Sequence, residues 1–209
     1  MLLDPKLPLL YTIGWGGNGL FTMPLKKDGE PTGEPMSYPF GYNAKSAMIP
    51  SDKFDCLIFG GHPSTVEVGD LNTAGDLEQS VSKFKIVESP EVVQLARVGR
   101  SIYFTREKQL WVWPLDRDWR PVDAPKPIPK ISAVGLWEGL HPFLYVVLGE
   151  FEPNANPKDS KLAATRLARF KPDAAGQPGQ PEFVSERFEG KTIRRIAMDE
   201  STGVIYVGF

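Results

Sequence analysis

The sequence predicts an all-β chain built from repeated four-stranded units, and three observations predict it. Twenty glycines and twenty prolines interrupt the 209 residues every few positions. The stretches between them are short, aromatic or β-branched, and often alternating, as strands bounded by turns are. An apolar pair, tyrosine-containing in most copies, recurs at Leu10-Tyr11, Leu57-Ile58, Ile102-Tyr103, Leu144-Tyr145 and Ile205-Tyr206, in steps of 47, 45, 42 and 61 residues. The first three steps approach the period of about 40 to 50 residues of propeller blades, and the fourth holds a loop insertion at 151–160, rich in Pro and Asn. A second element, Leu20-Phe21-Thr22-Met23-Pro24-Leu25, returns 90 residues later as Leu110-Trp111-Val112-Trp113-Pro114-Leu115, with a looser copy from Leu167 to Pro172. Together they predict a β-propeller of four-stranded blades, about four to five blades' worth, as a single domain or propeller fragment over residues 1–209.

With the strands of a blade lettered A to D from the innermost outward, the N-terminal stretch supplies B, C and D at 9–13, 19–25 and 34–38. Proline removes a ladder hydrogen bond, so the Pro-containing strands lie toward the outside of a blade or end there. The polar turns Lys27-Asp28-Gly29 and Asp173-Ala174-Ala175-Gly176 suit hairpins. A second blade reads 44–48, 56–60, 65–71 and 83–87. A third reads 92–96, 101–105, 110–115 and a weakly marked 122–128, and a fourth 131–136, 143–148, 163–170 and 182–187. Residues 161–170 also offer a helical face through Leu162, Ala163, Ala164, Leu167 and Ala168, but their place in the repeat favours a strand. At the far end 192–198 is an A strand and 204–208 a B strand. The former is available to complete the first blade, in which case the latter duplicates 9–13. That conflict is met by a truncated chain, by an irregular small propeller or by pairing with another chain through an open edge, and an apolar strand ending at Phe209 favours the first, a propeller incomplete at its C-terminus.

The run Asn43-Ala44-Lys45-Ser46-Ala47-Met48-Ile49-Pro50-Ser51-Asp52 followed by Cys56-Leu57-Ile58-Phe59, and Ile196-Ala197-Met198-Asp199 followed by Ser201-Thr202-Gly203-Val204-Ile205-Tyr206-Val207-Gly208, resemble the strand-turn-strand unit of lactonase-type and YncE-like propellers. The N-terminal Leu10-Tyr11-Thr12-Ile13-Gly14 and Gly19-Leu20-Phe21-Thr22-Met23-Pro24-Leu25 are similar to the first hairpin of those proteins. The resemblance implies the fold, commonly of seven blades. Lactonase chemistry follows only by analogy, because no histidine begins any A strand here.

The 24 basic and 26 acidic residues are scattered, with a net charge of −2, which asks for neither nucleic acid nor an acidic membrane. Met1-Leu2-Leu3-Asp4-Pro5-Lys6-Leu7-Pro8 is not a secretory signal, and the longest apolar run, 143–148, is far below the roughly 18 residues of a membrane helix. A soluble, cytoplasmic protein is expected. Cys56, the single cysteine, sits among apolar residues and reads as buried packing. Two histidines, His62 and His141, without carboxylates at ligand spacing, predict no metal site, and no cofactor is expected. The glycine-rich stretch 14–19 lies between strands with no helix after it, and reads as a hairpin loop, not a phosphate cradle.

In a four-stranded blade the B-to-C loops and D-to-A connections share one face. That face gathers Asn18, Asn43, Lys45, His62, Arg106, Glu107, Lys130 and Lys191, with His141 on the opposite one. Lys45, Arg106, Lys130 and Lys191 place positive charge around the channel mouth, favouring a small anionic ligand or a protein partner. His62 and Glu107 are the candidate bases should the chain act as a lactonase-like hydrolase or isomerase on a sugar-acid lactone. A structural propeller module is the third expectation. Trp111 and Trp113 alternate on a strand and are read as packing residues.

Overall fold

A computed structural model of the chain describes residues 2–3, 7–13, 20–38, 49–50, 56–61, 65–85, 95–138, 142–153, 160–199 and 202–209. Among these residues the regular structure is antiparallel strand, and no helix is long and apolar enough to cross a membrane. The first blade is a four-stranded sheet of β1 (Leu2–Leu3), β2 (Leu9–Ile13), β3 (Leu20–Pro24) and β4 (Met36–Tyr38), in that order. Leu2 pairs with Tyr11 and Leu3 with Leu10. The N-terminal stretch therefore carries its own A strand, which corrects the expectation of a blade lacking one. Two residues are too few for alternation to reveal a strand.

The second blade, β5 (Ile49–Pro50), β6 (Cys56–Gly61), β7 (Thr65–Leu71) and β8 (Leu77–Lys85), is likewise ordered in sequence. Its predicted A strand at 44–48 lies outside the described residues. Its D strand begins at Leu77 rather than at residue 83, because a tight turn returns the chain directly from β7. Cys56 is buried, as expected.

The third and fourth blades share one sheet of β9 (Leu95–Val98), β10 (Ser101–Arg106), β11 (Gln109–Pro114), β12 (Lys126–Glu138), β13 (Leu144–Phe151), β14 (Leu162–Phe170), β15 (Phe183–Val184) and β16 (Phe188–Glu189). The stretch weighed as a helix is thus β14. The separate D and A strands expected at 122–128 and 131–136 are one strand, β12. Its first part pairs with β11 (Lys126 with Val112, Pro127 with Trp111), and its second with β13, from Ala133 opposite Leu148 to Glu138 opposite Leu144. Between Pro127 and Ser132 four residues of β12 stand against the single Leu110. Pro127 and Pro129 have no N–H to give to the ladder, so β12 lifts off β11 there and rejoins it at Ser132. The D strand expected at 182–187 is split into β15 and β16, both on β14. Finally β17 (Arg195–Asp199) and β18 (Val204–Gly208) pair with each other.

By their contacts the residues fall into two compact units, Met1–Leu95 with Leu115–Val122, and Ala96–Pro114 with Asp123–Phe209. The first is packed around Tyr11, Leu20, Leu57, Leu71 and Leu77. In the second, one cluster joins Tyr103, Leu110, Val112, Ile128, Leu144 and Phe170, and another sets Tyr145, Val147 and Leu167 against Ile196, Met198, Ile205 and Val207. Alternation along β18 buries Ile205 and Val207 and leaves Val204 and Tyr206 exposed.

One turn recurs at 26–30, 72–76, 116–120 and 173–177. In each, the first residue's amide donates to the fifth residue's carbonyl at 2.7 to 3.0 Å, and the fourth residue's amide to the first's carbonyl. The fourth residue has a positive φ: Gly29, Gly75, Trp119 and Gly176, at 86°, 83°, 62° and 77°. In the last three turns an Oδ1 of Asn72, Asp116 or Asp173 accepts the amides of the third and fifth residues, satisfying donors the turn would otherwise orphan.

Two of these turns are held by a tyrosine of another blade. Tyr11 Oη donates to Gly75 O at 2.9 Å, and Tyr103 Oη to Gly176 O at 2.8 Å. Burial pushes the Tyr103 pKa up, so its hydroxyl remains a donor. At the strand position equivalent to these tyrosines blade two has Ile58, and the turn of blade three has Trp119 where the others have glycine, a smaller strand residue accompanying a larger turn residue. Arg120, from that same turn, donates from Nη2 to both Asp70 oxygens at 2.8 and 2.7 Å and from Nη1 to Val68 O at 3.2 Å. In blade four Glu150 accepts from Arg166 Nε at 2.8 Å and Arg187 Nε at 2.7 Å, and Arg187 also binds Glu189, which ties β16 back to β13 and β14.

A methyl group at Gly75 would lie 2.5 Å from Leu9 Cδ1 and 2.9 Å from Tyr11 Oη, whereas one at Gly29 meets nothing within 4 Å. Both Gly→Ala changes lose about 1 kcal/mol to the positive φ. Gly75→Ala is expected to lose about 1–3 kcal/mol more through overpacking. Denaturant midpoints of the two variants check this, and equal losses would show that Tyr11 does not constrain the turn. The Arg187 and Arg166 hydrogen bonds hold the Glu150 carboxyl below its ordinary value of 4.5. Its contribution to stability is therefore present above that value and is lost as pH falls through the lower folded one. Glu150→Gln is expected to flatten the acid limb of a stability-against-pH curve measured by urea unfolding.

Candidate functional site

Of the residues singled out in the sequence, Asn18, Asn43, Lys45 and His62 lie outside the described residues. Arg106, Glu107, Lys130 and Lys191 are described, and all four belong to the second compact unit. β10 ends at Arg106 and β11 begins at Gln109, its direct partner, so Glu107 and Lys108 form a two-residue hairpin turn. Both have positive φ, 50° and 63°. That geometry follows the right-handed twist of the flanking strands and usually selects Asn and Gly. Here it is held from outside: Lys108 Nζ donates to Ser160 O at 3.2 Å and lies 4.4 Å from the Phe151 ring centroid.

The short turn fixes what Arg106 meets. Phe104 and Trp111 are directly paired and stacked, centroids 6.2 Å apart, and the Arg106 guanidinium, two residues on from Phe104, lies over the Trp111 ring at 5.0 Å. The Arg106 side chain is 17% exposed. Its Nε is sealed from solvent without an acceptor, as is Trp111 Nε1. The carboxylate beside it is that of Glu107, 4.0 Å from Nη2 and itself 73% exposed. An arginine so placed is a largely buried cation with one buried N–H, that of Nε, lacking an acceptor, and it is suited to an oxyanion.

The other cations stand in different surroundings. Lys191 Nζ lies over the Phe209 ring at 4.9 Å, and its carbonyl accepts from Thr165 Oγ1 at 3.0 Å. Lys130 is exposed, with φ 65°, on the lifted part of β12. No contact between Arg106, Lys130 and Lys191 is seen among the described residues. Glu107 has Arg106 for its neighbour and no histidine beside it among those residues. Trp113 is a packing residue, its Nε1 donating to Asp123 O at 2.9 Å. The role of Trp111 as the platform for Arg106 was not read from the sequence. The signal was there in the pairing that a two-residue turn imposes, which sets position 106 diagonally across from 111.

No protein-family model matches the sequence, and no curated protein does. Solved structures do. The dihydro-heme d1 dehydrogenase NirN in complex with DHE aligns with a TM-score of 0.58 at 15% identity, over 99% of this chain and 40% of that one. A candidate 6-phosphogluconolactonase from Bacteroides uniformis aligns at 0.56 and 11% identity, over 91% and 71%. The Dos1 propeller aligns at 0.52 and 13%, over 97% and 50%. The chain thus spans less than half the length of the dehydrogenase and half that of the Dos1 chain. The shared form is the fold: an all-β chain of propeller blades, of the kind seen in lactonase-like proteins.

Proposed function

We propose that the chain is a propeller module that binds a small anionic ligand, or an acidic group of a protein partner, at the end of the β10–β11 hairpin. The observation that carries this reading is Arg106, four-fifths buried on Trp111 with Nε lacking an acceptor and Glu107 only at the limit of ion-pair distance. Buried cations persist where a counter-charge completes them. A carboxylate or phosphate oxygen supplies that charge, and the exposed Glu107 carboxylate is its internal competitor. Asn18, Asn43, Lys45, His62 and Lys191 remain the other proposed contacts.

A second reading, hydrolysis of a sugar-acid lactone with His62 or Glu107 as base, draws on the fold shared with the lactonase-named structure. A third is a structural module that self-associates through β18, for which Val204, Tyr206 and Phe209, 45%, 60% and 51% exposed, provide apolar surface.

Thermal unfolding with D-gluconate and with inorganic phosphate tests the first reading. A rise of about 2 °C or more is expected with at least one of them at saturation. Arg106→Gln is expected to remove it and Glu107→Gln to reach it at lower ligand concentration. A wild-type chain indifferent to both anions, or a response kept by Arg106→Gln, overturns the reading. Turnover of D-glucono-1,5-lactone that is lost in His62→Ala would establish the second instead. For the third, the solution mass is expected to rise with protein concentration and to stay monomeric in Tyr206→Lys; a monomeric wild type at every concentration rules it out.

A further inference from the structure

The second compact unit also holds a cleft of about 600 Å³, separate from the Arg106 platform, lined on one side by the lifted part of β12 and on another by the segment after the 173–177 turn. Its origin is in the prolines. Pro129 on β12 and Pro178 and Pro181 on the other segment cannot donate to a ladder, so neither stretch lies flat in the sheet, and the space between them stays open above Leu148 and Phe170. Phe170 is buried and belongs to the core, which makes one boundary of the cleft rigid. The prolines fix φ on the others. A preformed apolar cleft of this size is within the range of roughly 300–1,000 Å³ typical of small-molecule sites, and its rigidity lowers the ordering cost of binding.

Its charge is one-sided. The lining contains no carboxylate, and its single ionisable side chain is Lys130, carried on a backbone with φ 65°. Two amides, Gln177 and Gln180, complete the polar groups. We infer that this cleft is a binding site for a small amphiphilic acid, an aromatic or aliphatic body lying between the proline stretches with its carboxylate at Lys130.

The probes are 2-naphthoate and its neutral analogue 2-naphthalenemethanol, titrated calorimetrically into the intact chain. The naphthoate is expected to bind one to one with a dissociation constant below about 1 mM, and about fivefold more tightly than the alcohol. Lys130→Ala is expected to make the two probes equal while leaving the alcohol unchanged. Gln180→Trp, an exposed position whose new ring fills the cleft without entering the core, is expected to abolish both at an unchanged melting temperature. Arg106→Gln is expected to affect neither, which separates this site from the one proposed above. The inference is overturned if neither probe saturates, or if both bind Lys130→Ala and Gln180→Trp as they bind the wild type.

Discussion

The structure depends on a turn that must pass through one left-handed residue. Each of the four C-to-D connections closes with the same two backbone hydrogen bonds, and both form only if the fourth residue turns to positive φ. At two of the three glycines in that position a buried tyrosine from another blade comes close enough to bond the carbonyl, Tyr11 to Gly75 and Tyr103 to Gly176. The requirement for a sharp reversal and the requirement for close approach are met by the same missing Cβ. The aspartate or asparagine that opens three of the turns completes the arrangement by capping the amides that the reversal exposes.

The repeat was legible because these turns and the apolar pairs preceding them are spaced by the blade, and a blade has a fixed length. Two glycine turns, at Lys27-Asp28-Gly29 and Asp173 to Gly176, could be read directly. The one at 116–120 could not: Trp119 adopts a conformation that sequence reasoning assigns to glycine, and tryptophan offers no such signal. β1 was missed because two residues cannot alternate, and β12 was divided in two because the four-strand blade plan asks for a D strand and then a separate A strand, whereas Pro127 and Pro129 do not end it. In this chain the prolines raise a bulge and the strand continues. Of the site, Arg106 and Glu107 were legible as a charged pair in a B-to-C connection. The platform under Arg106 was not, since it depends on a turn of two residues, and both of those residues, Glu107 and Lys108, have side chains that ordinarily avoid that backbone.

The two proposed sites differ in how they are made rigid. Around Arg106 the rigidity is aromatic: Phe104 and Trp111 stack, and the guanidinium lies over the Trp111 ring. Around Lys130 it is covalent, since proline rings restrict the chain before any ligand arrives. The Arg106 charge is largely buried against its apolar surface, where water screens it less than at an open one, whereas Lys130 is exposed at the cleft's edge.

The continuity of β12 reaches beyond the cleft it opens. Blades of repeat proteins ordinarily melt as neighbours whose coupling passes only through side-chain contact. Here one strand is hydrogen-bonded to β11 along its first part and to β13 along its second, so the ladder runs unbroken from β11 to β13. Neither ladder can lose β12 without fraying the other, so the amides of β11, β12 and β13 are expected to open to solvent exchange together.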